Sequence, residues 1–230
     1  MRSKLIILAI AFISIVTLTA CTKNKDAIAF KNDYESLNGK ENKNGKIHRT
    51  LTISKDNPFV KVDPKDIVKK IENKETFYVY FGSKLCPWCR SVIEKSIEVA
   101  NDYEIKTIYY VDVWDNEGNE ILRDSYVLDE EGKPKLEKEG TEEYKKLLET
   151  FNELLRDYTI TNDNKEKIEV GEKRIYAPNF IYVEDGKAKK LTTGKSEKQT
   201  DPREKLTKEI LADEQSAFED FFAETCDESC

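Results

Sequence analysis

The stretch TFYVYFGSKLCPWCRSVIEKSIEVANDYEIKTIYYVDVWD, residues 76–115, places two cysteines between segments of regular hydrophobic pattern. Residues 77–81 are apolar or aromatic at every position, which is typical of a strand buried on both faces. The apolar positions of residues 87–102 follow helical spacing, and residues 105–115 form a second apolar strand. This order predicts a βαβ unit with the cysteines at the carboxyl edge of its sheet, where α/β proteins place their chemistry.

The CPWC motif stands where the first strand gives way to the helix. Cys86 falls at the N-cap position and Pro87 in the first helical turn, where the missing N–H of proline costs nothing. The helix dipole and the free backbone N–H groups favour a thiolate, so the pKa of Cys86 is expected to be low. Lys84 and Arg90 are expected to add to this effect. Cys86 would therefore be the nucleophile, and Cys89, one turn later and more buried, the resolving thiol.

Two other interpretations of the pair are open. Half of a zinc site would need two further ligands, but His48 is the only histidine and the next cysteines, Cys226 and Cys230, stand at the chain end. No metal site is therefore expected. An inert disulfide would be unusual at a helix N-terminus after a buried strand. For Cys226 and Cys230, helical spacing puts the Cα atoms ~6 Å apart, so a structural disulfide and a second redox pair both remain open.

A strand, a CPxC motif that opens a helix, and a second strand together resemble the thioredoxin-like superfamily. Further along, residues 174–191 (RIYAPNFIYVEDGKAKKL) place an Ala-Pro step before a strand, an Asp-Gly turn and another strand. The resemblance covers residues 47–226 and implies an α/β fold with a mixed central sheet and flanking helices. It implies that Pro178 is a cis-proline opposite the cysteines and that the backbone of Ala177 pairs with an extended substrate. Trp88 would offer a partner apolar contact.

Two positions depart from the thioredoxin pattern. Thioredoxins carry a buried acid six residues before the first cysteine, whereas this chain has Tyr80 there. A phenol ionises near ~10 and is a poor general base, so Tyr80 is expected to serve in core packing, with proton relay as the alternative. The aromatic residue that thioredoxins place just before the first cysteine is Leu85 here.

About 60 residues separate the second strand of the βαβ unit from Pro178, far more than the fold requires. This insertion, residues 116–172, is expected to contain a helix and hairpins and to roof the active edge, which would narrow the substrate range. Spacing, caps and turn residues predict the other elements. These are an N-terminal helix ending at Gly39, a strand over 47–53, a helix opening at Asp63, a short helix and hairpin over 120–140, a helix over 141–158, a hairpin over 159–170, a helix start at 201–204 and a last helix over 213–226.

The first 20 residues read as a secretory signal, because a basic start precedes an apolar run shorter than the ~20 residues of a spanning helix. The sequence LTAC, ending at Cys21, resembles the lipobox of bacterial lipoproteins, which implies a lipid on Cys21; a plain signal peptide is the alternative. The chain looks like thioredoxin-like lipoproteins of Gram-positive bacteria, some of them labelled bacteriocin transport accessory proteins. Residues 21–46 would be a lipidated tether with a short helix, and residues 47–230 the thioredoxin-like domain.

The formal net charge is −7, and acidic and basic residues are mixed along the chain without a basic run that would bind nucleic acid. The expected function is that of a membrane-anchored extracytoplasmic thiol–disulfide oxidoreductase that needs no cofactor. Its partners would be thiols and disulfides of secreted or surface proteins, a redox partner protein, and the membrane through the lipid. The alternative is a non-catalytic binding or accessory lipoprotein for secreted peptides or transport, presenting Trp88 and the Pro178 edge.

Overall fold

The computed structural model describes residues 25–223 and shows a mixed α/β architecture. A five-stranded sheet in the order β1-β3-β2-β8-β9 forms its centre, and two separate hairpins, β4–β5 and β6–β7, lie in the connection after β3. The elements are α1 (25–35), β1 (Phe59–Lys61), α2 (Pro64–Glu72), β2 (Phe77–Gly82), α3 (Pro87–Asp102), β3 (Ile108–Asp112), β4 (Ser125–Leu128), β5 (Pro134–Lys138), α4 (Glu142–Phe151), a 3-10 turn (Asn152–Leu154), β6 (Arg156–Thr161), β7 (Lys167–Arg174), β8 (Asn179–Glu184), β9 (Lys187–Thr192) and α5 (Lys208–Ala223).

The central sheet is mixed, as expected. β2 pairs in parallel with β3 and antiparallel with β8, so that Tyr80 stands opposite Tyr110 on one side and Phe180 on the other. The predicted βαβ unit is confirmed, since β1, β3 and β2 run in parallel and α3 connects β2 to β3.

Both faces of β2 are covered, which explains its unbroken apolar sequence. Because successive strand residues point to opposite faces, Tyr78 and Tyr80 face the core formed with α1, α3 and α5. Phe77, Val79 and Phe81 face the second core, formed with α2 and α4. The start of α3 is thus held by a strand buried on either side.

The N-terminal helix is part of this core. In α1, Phe30 and Tyr34 are buried, and the Phe30 ring stacks on Phe59 of β1 with a centroid distance of 4.4 Å. The short helix predicted within residues 21–46 is therefore present, and its apolar face packs on the sheet.

The prediction of a strand over 47–53 is wrong. Ile47 forms only an isolated antiparallel bridge with Glu41, and the His48 N–H donates to the Lys40 carbonyl oxygen, while further along this extended segment the backbone pairs with side chains. The Leu51 N–H donates to Asn38 Oδ1 at 3.0 Å, and the Ile53 N–H donates to Glu35 Oε1 at 2.7 Å. Leu51 and Ile53 are buried in alternation, as in a strand, but the segment adds no strand to the sheet. The strand at this edge of the central sheet is β1.

The insertion contains a helix and hairpins, but its helix is shorter than predicted. α4 ends at Phe151, and Leu155 is already extended (φ −80°, ψ 148°). Leu155 and Tyr158 are buried although they are not helical. The Leu155 N–H donates to the Asn152 carbonyl oxygen, and Tyr158 stands at an irregularity where β6 pairs with β7 on either side of it. The short helix predicted after residue 120 is absent, whereas the hairpin predicted with it is confirmed as β4–β5.

The predicted helix start at 201–204 is a turn. The Glu204 carboxylate accepts the backbone N–H of Thr200 at 2.7 Å, which closes the turn locally. α5 begins after Thr207, whose hydroxyl accepts the Ile210 N–H at 3.3 Å. Glu204 therefore makes the hydrogen bond expected of a helix N-terminus, but no helix follows it directly.

The last helix starts earlier than residue 213 and is described as far as Ala223. Within the described part of the chain, no helix combines the length and apolar character needed to cross a membrane. Several predictions lie outside residues 25–223: the signal peptide 1–20, the lipid site Cys21, and the pair Cys226 and Cys230.

Candidate active site

Cys86 occupies the N-cap of α3, as predicted. Its backbone is extended (φ −73°, ψ 118°), Pro87 is the first helical residue, and the Cys86 sulfur accepts the Cys89 N–H at 3.3 Å. A sulfur in this position completes the hydrogen bonding of the first helical turn, and the helix dipole stabilises negative charge on it.

The cysteine pair lies against the peptide bond between Ala177 and Pro178, which is cis. Both thiols are free, and the Cys86 S–H donates to the Ala177 carbonyl oxygen at 3.5 Å. Cys86 is 3% exposed and Cys89 is fully buried. The structure therefore brings together the four residues expected to do chemistry or to hold substrate backbone.

The two thiols differ in the direction of their pKa shifts. Burial alone would raise the pKa of Cys86, but hydrogen bonds from the Cys89 thiol and from the backbone N–H groups of Cys89 and Trp88, with the positive charge of Arg123, lower it below its usual value. Burial and the adjacent Cys86 sulfur raise the pKa of Cys89 well above its usual value, against a hydrogen bond from Tyr80. Cys86 is the thiol that ionises first.

Neither of the two cations predicted from the sequence is among the largest influences on the pKa of Cys86. Lys84 forms an ion pair with Asp33 at 2.5 Å, and buried Arg90 donates to the Tyr34 carbonyl oxygen at 2.7 Å. Both hold the N-terminal segment against the sheet. Arg123, from the insertion, supplies the charge instead.

Arg123 belongs to a buried ionic cluster that joins the insertion to the loop before the cis peptide. It forms an ion pair with Glu120 at 2.5 Å and donates to the Ile175 carbonyl oxygen at 3.1 Å. Arg174 continues the cluster through ion pairs with Asp124 at 3.1 Å and Glu120 at 3.4 Å. Such pairs fix geometry because breaking one leaves a buried charge uncompensated. Nothing in the sequence alone indicated that these residues meet.

Tyr80 is fully buried, and its hydroxyl group interacts with the Cys89 thiol. The hydroxyl oxygens of Tyr80 and Tyr34 lie 3.0 Å apart. Burial raises the pKa of Tyr80 well above its usual value, so the phenol stays protonated and donates a hydrogen bond to Cys89. Gly82 makes room for it, because a Cβ atom there would lie 2.1 Å from the Tyr80 hydroxyl oxygen. Tyr80 is therefore more than core packing.

A cleft of about 620 Å³ opens beside the cysteine pair. Trp88, Ala177 and Pro178 line one part of it, and the hairpin β6–β7 lines another. The Lys195 Nζ atom lies 4.6 Å from the centroid of the Trp88 ring. The insertion thus borders the active edge through its second hairpin, while the first hairpin, β4–β5, does not line this cleft.

His48 is buried, and burial lowers its pKa. The positive charges of Arg90 and Arg203 lower the pKa further. Within residues 25–223, no group of three or more His, Cys, Asp or Glu side chains is arranged to hold a metal ion. No protein-family model matches the chain, and no curated protein matches it.

Proposed function

We propose that this protein is a thiol–disulfide oxidoreductase with a thioredoxin-like fold, in which Cys86 is the nucleophile and Cys89 resolves. The observation that carries the proposal is the position of Cys86 at the N-cap of α3, where its sulfur accepts the Cys89 N–H beside the cis peptide between Ala177 and Pro178. The opposite directions of the two pKa shifts support it. The parallel strands β1-β3-β2, the antiparallel strands β8 and β9, and the cis peptide before β8 support the assignment of the fold.

The reaction needs only the two thiols and a client disulfide. The Cys86 thiolate attacks one client sulfur, the client S–S bond breaks, and the other client sulfur leaves and takes up a proton. Cys89 then loses its proton and attacks the Cys86 sulfur, which releases the second client thiol. The client gains two electrons and two protons, and the protein pair becomes a disulfide. The reverse sequence oxidises a client dithiol, and a redox partner protein restores the starting state.

Different neighbouring groups assist the two steps of the exchange. Stabilisation of the Cys86 thiolate by the helix N-terminus prepares the attack, and Trp88 offers the client apolar surface. The backbone of Ala177, next to Pro178, is placed to pair with an extended client segment beside the sulfur. Tyr80 stabilises the Cys89 thiolate in the second step.

The same proposal places the protein outside the cytoplasm, held to the cell membrane by a lipid on Cys21. There its clients are thiols and disulfides of secreted or surface proteins. A Cys21→Ser variant should lose metabolic labelling by fatty acid and leave the membrane fraction, whereas wild-type protein should retain both.

A second candidate function is a binding or accessory protein with an inert cysteine pair. The 3% exposure of Cys86 favours it, because a buried sulfur is less accessible to a large client. This candidate would keep the cleft as its binding surface.

The experiment that separates the two candidates traps the mixed disulfide. A Cys89→Ser variant of the oxidoreductase should accumulate covalent adducts with client proteins, visible on non-reducing gels and removed by reductant. The matched variant Cys86→Ser should form none. If Cys89→Ser forms no adducts and reduced wild-type protein does not react with a small neutral disulfide, the oxidoreductase proposal fails.

A further inference from the structure

The cleft beside the cysteine pair has a charge opposite to that of the whole chain. Only two of its lining side chains are acidic, Asp157 and Glu169, although the chain as a whole has a net charge of −7. Four lining side chains are cationic: Arg156, Lys167, Lys173 and Lys195. The cleft is thus a basic patch on an acidic protein.

Three of these four cations have no acidic partner. Lys173 pairs with Asp157 at 2.8 Å, which neutralises both. Arg156 lies over the Tyr176 ring and Lys195 over the Trp88 ring, with distances to the ring centroids of 5.8 Å and 4.6 Å. Within residues 25–223, no ion pair is formed by Arg156, Lys167 or Lys195. Glu169 is the one acid of the cleft that remains to offset three positive charges.

Lys195 is close enough to Arg156 and Lys167 for their charges to act on it. Burial lowers the pKa of Lys195, and the charges of Arg156 and Lys167 lower it further. Like charges held close together repel one another, and the partial burial of Lys195 adds to the cost unless an anion joins them. A bound carboxylate would remove this repulsion, so the cleft is preorganised for a negatively charged ligand.

The basic patch is continuous with the reacting sulfur. Lys195 responds to charge on Cys86, which raises the pKa of the lysine. Ala177, whose carbonyl oxygen accepts the Cys86 S–H, also lines the cleft. A client cysteine bonded to Cys86 would therefore lay its flanking residues along the three cations.

We propose that the clients of this protein carry acidic residues next to the cysteine that exchanges with Cys86, and that Arg156, Lys167 and Lys195 select them. The occupant of the cleft is an extended acidic peptide segment. This inference rests on the proposed oxidoreductase function and specifies its substrate class.

Single-turnover kinetics with reduced protein test the inference. The probes are three disulfide-linked peptides that differ only in the residues flanking the cysteine, which are glutamates, glutamines or lysines, together with the neutral hydroxyethyl disulfide. At low ionic strength the glutamate peptide should react about 10-fold or more faster than the lysine peptide. In 1 M salt the Debye length falls to about 3 Å, and the preference should shrink to about 2-fold or less.

A matched pair of triple variants assigns the preference to the cleft. In Arg156→Gln/Lys167→Gln/Lys195→Gln the ratio of glutamate to lysine peptide rates should fall to about 1. The control Lys43→Gln/Lys106→Gln/Lys187→Gln removes the same charge from exposed lysines outside the cleft and should keep the ratio. Circular dichroism and thermal unfolding establish that both variants fold.

The outcomes separate this inference from the proposed function. If hydroxyethyl disulfide is reduced but the glutamate and lysine peptides react equally, the acidic-client inference is wrong and the oxidoreductase proposal stands. If hydroxyethyl disulfide is not reduced, binding of serine-containing versions of the peptides to Cys86→Ser/Cys89→Ser still tests the cleft. Equal binding of acidic and basic peptides there overturns the inference, and preferential binding of the acidic peptide supports it.

Discussion

Replacing Tyr80 by phenylalanine removes one hydroxyl group from the site and keeps the ring that packs on Phe180 and Tyr110. The hydroxyl donates to the Cys89 sulfur, so its loss should raise the pKa of Cys89 further. The second step, in which Cys89 attacks the mixed disulfide, should therefore slow. The first step depends on Cys86 and should change little.

The size of the effect follows from the charge on the acceptor. A hydrogen bond to a charged group contributes about 1.5–3 kcal/mol, so the Cys89 thiolate should become about 10- to 100-fold rarer at a given pH. A thiolate of higher pKa is also more nucleophilic, with a Brønsted coefficient of about 0.4–0.5, which recovers about half of the loss on a logarithmic scale. Resolution should slow by about 3- to 10-fold.

The assay follows the mixed disulfide itself. Reduced protein is mixed with hydroxyethyl disulfide and quenched in acid at intervals. Mass spectrometry then quantifies the reduced, mixed-disulfide and oxidised forms of the protein. Tyr80→Phe should accumulate more mixed disulfide than wild type, and the pH at which resolution accelerates should move upward.

Tyr34→Phe is the matched control. It removes the other half of the same hydroxyl pair, 3.0 Å from Tyr80, without removing the donor to Cys89. Both variants should lose about 1–3 kcal/mol of unfolding free energy, because each leaves a buried hydroxyl with one partner fewer, but only Tyr80→Phe should slow resolution. Equal resolution rates and pH profiles in Tyr80→Phe and wild type would refute the role assigned to this hydroxyl.

Three further predictions concern charge and space around the site and the core. Arg123→Gln should raise the pKa of Cys86, measured by thiolate absorbance, and Arg123→Lys should raise it less because the charge is kept. Gly82→Ala should lower the unfolding free energy by about 1–3 kcal/mol, because the new Cβ would meet the Tyr80 hydroxyl at 2.1 Å; denaturant titration with an unchanged midpoint would contradict this. Glu214 is fully buried with both carboxylate oxygens unpartnered, and burial raises its pKa to about 7. Between about pH 4.5 and 7 the Glu214 carboxyl group is therefore protonated in the folded state and ionised in the unfolded state. Its contribution to the unfolding free energy is complete at low pH and declines as pH rises through this range. Glu214→Gln should match wild type near pH 5 and exceed its stability by about 2–3 kcal/mol at pH 8; a constant difference across pH would exclude the carboxyl group as the cause.

The errors of sequence interpretation share one cause. Residues 47–53 alternate like a strand, and Leu155 and Tyr158 continue the helical spacing of α4, yet neither segment takes the predicted form. Apolar spacing reports which side chains are buried, and these side chains are buried. It does not report which partners the backbone finds, and these are Asn38 for Leu51, Asn152 for Leu155 and β7 for the residues on either side of Tyr158.

The chain by itself determined the features that depend on neighbouring residues: the buried strand β2, the cap of α3 by Cys86, and the Asp185-Gly186 turn between β8 and β9. These follow from short-range sterics and hydrogen bonding, which act within a few positions of the chain. Only the tertiary structure decided which groups surround the sulfurs. Arg123 and Lys195 reach the cysteine pair from an insertion and a distant loop, and nothing in their local sequence marks them. The position of Tyr80 six residues before Cys86 singled it out, but its interaction with Cys89 became visible only in the fold. Electrostatic and hydrogen-bonding interactions depend on distance in space, so the tuning of the site became visible only once the chain was folded.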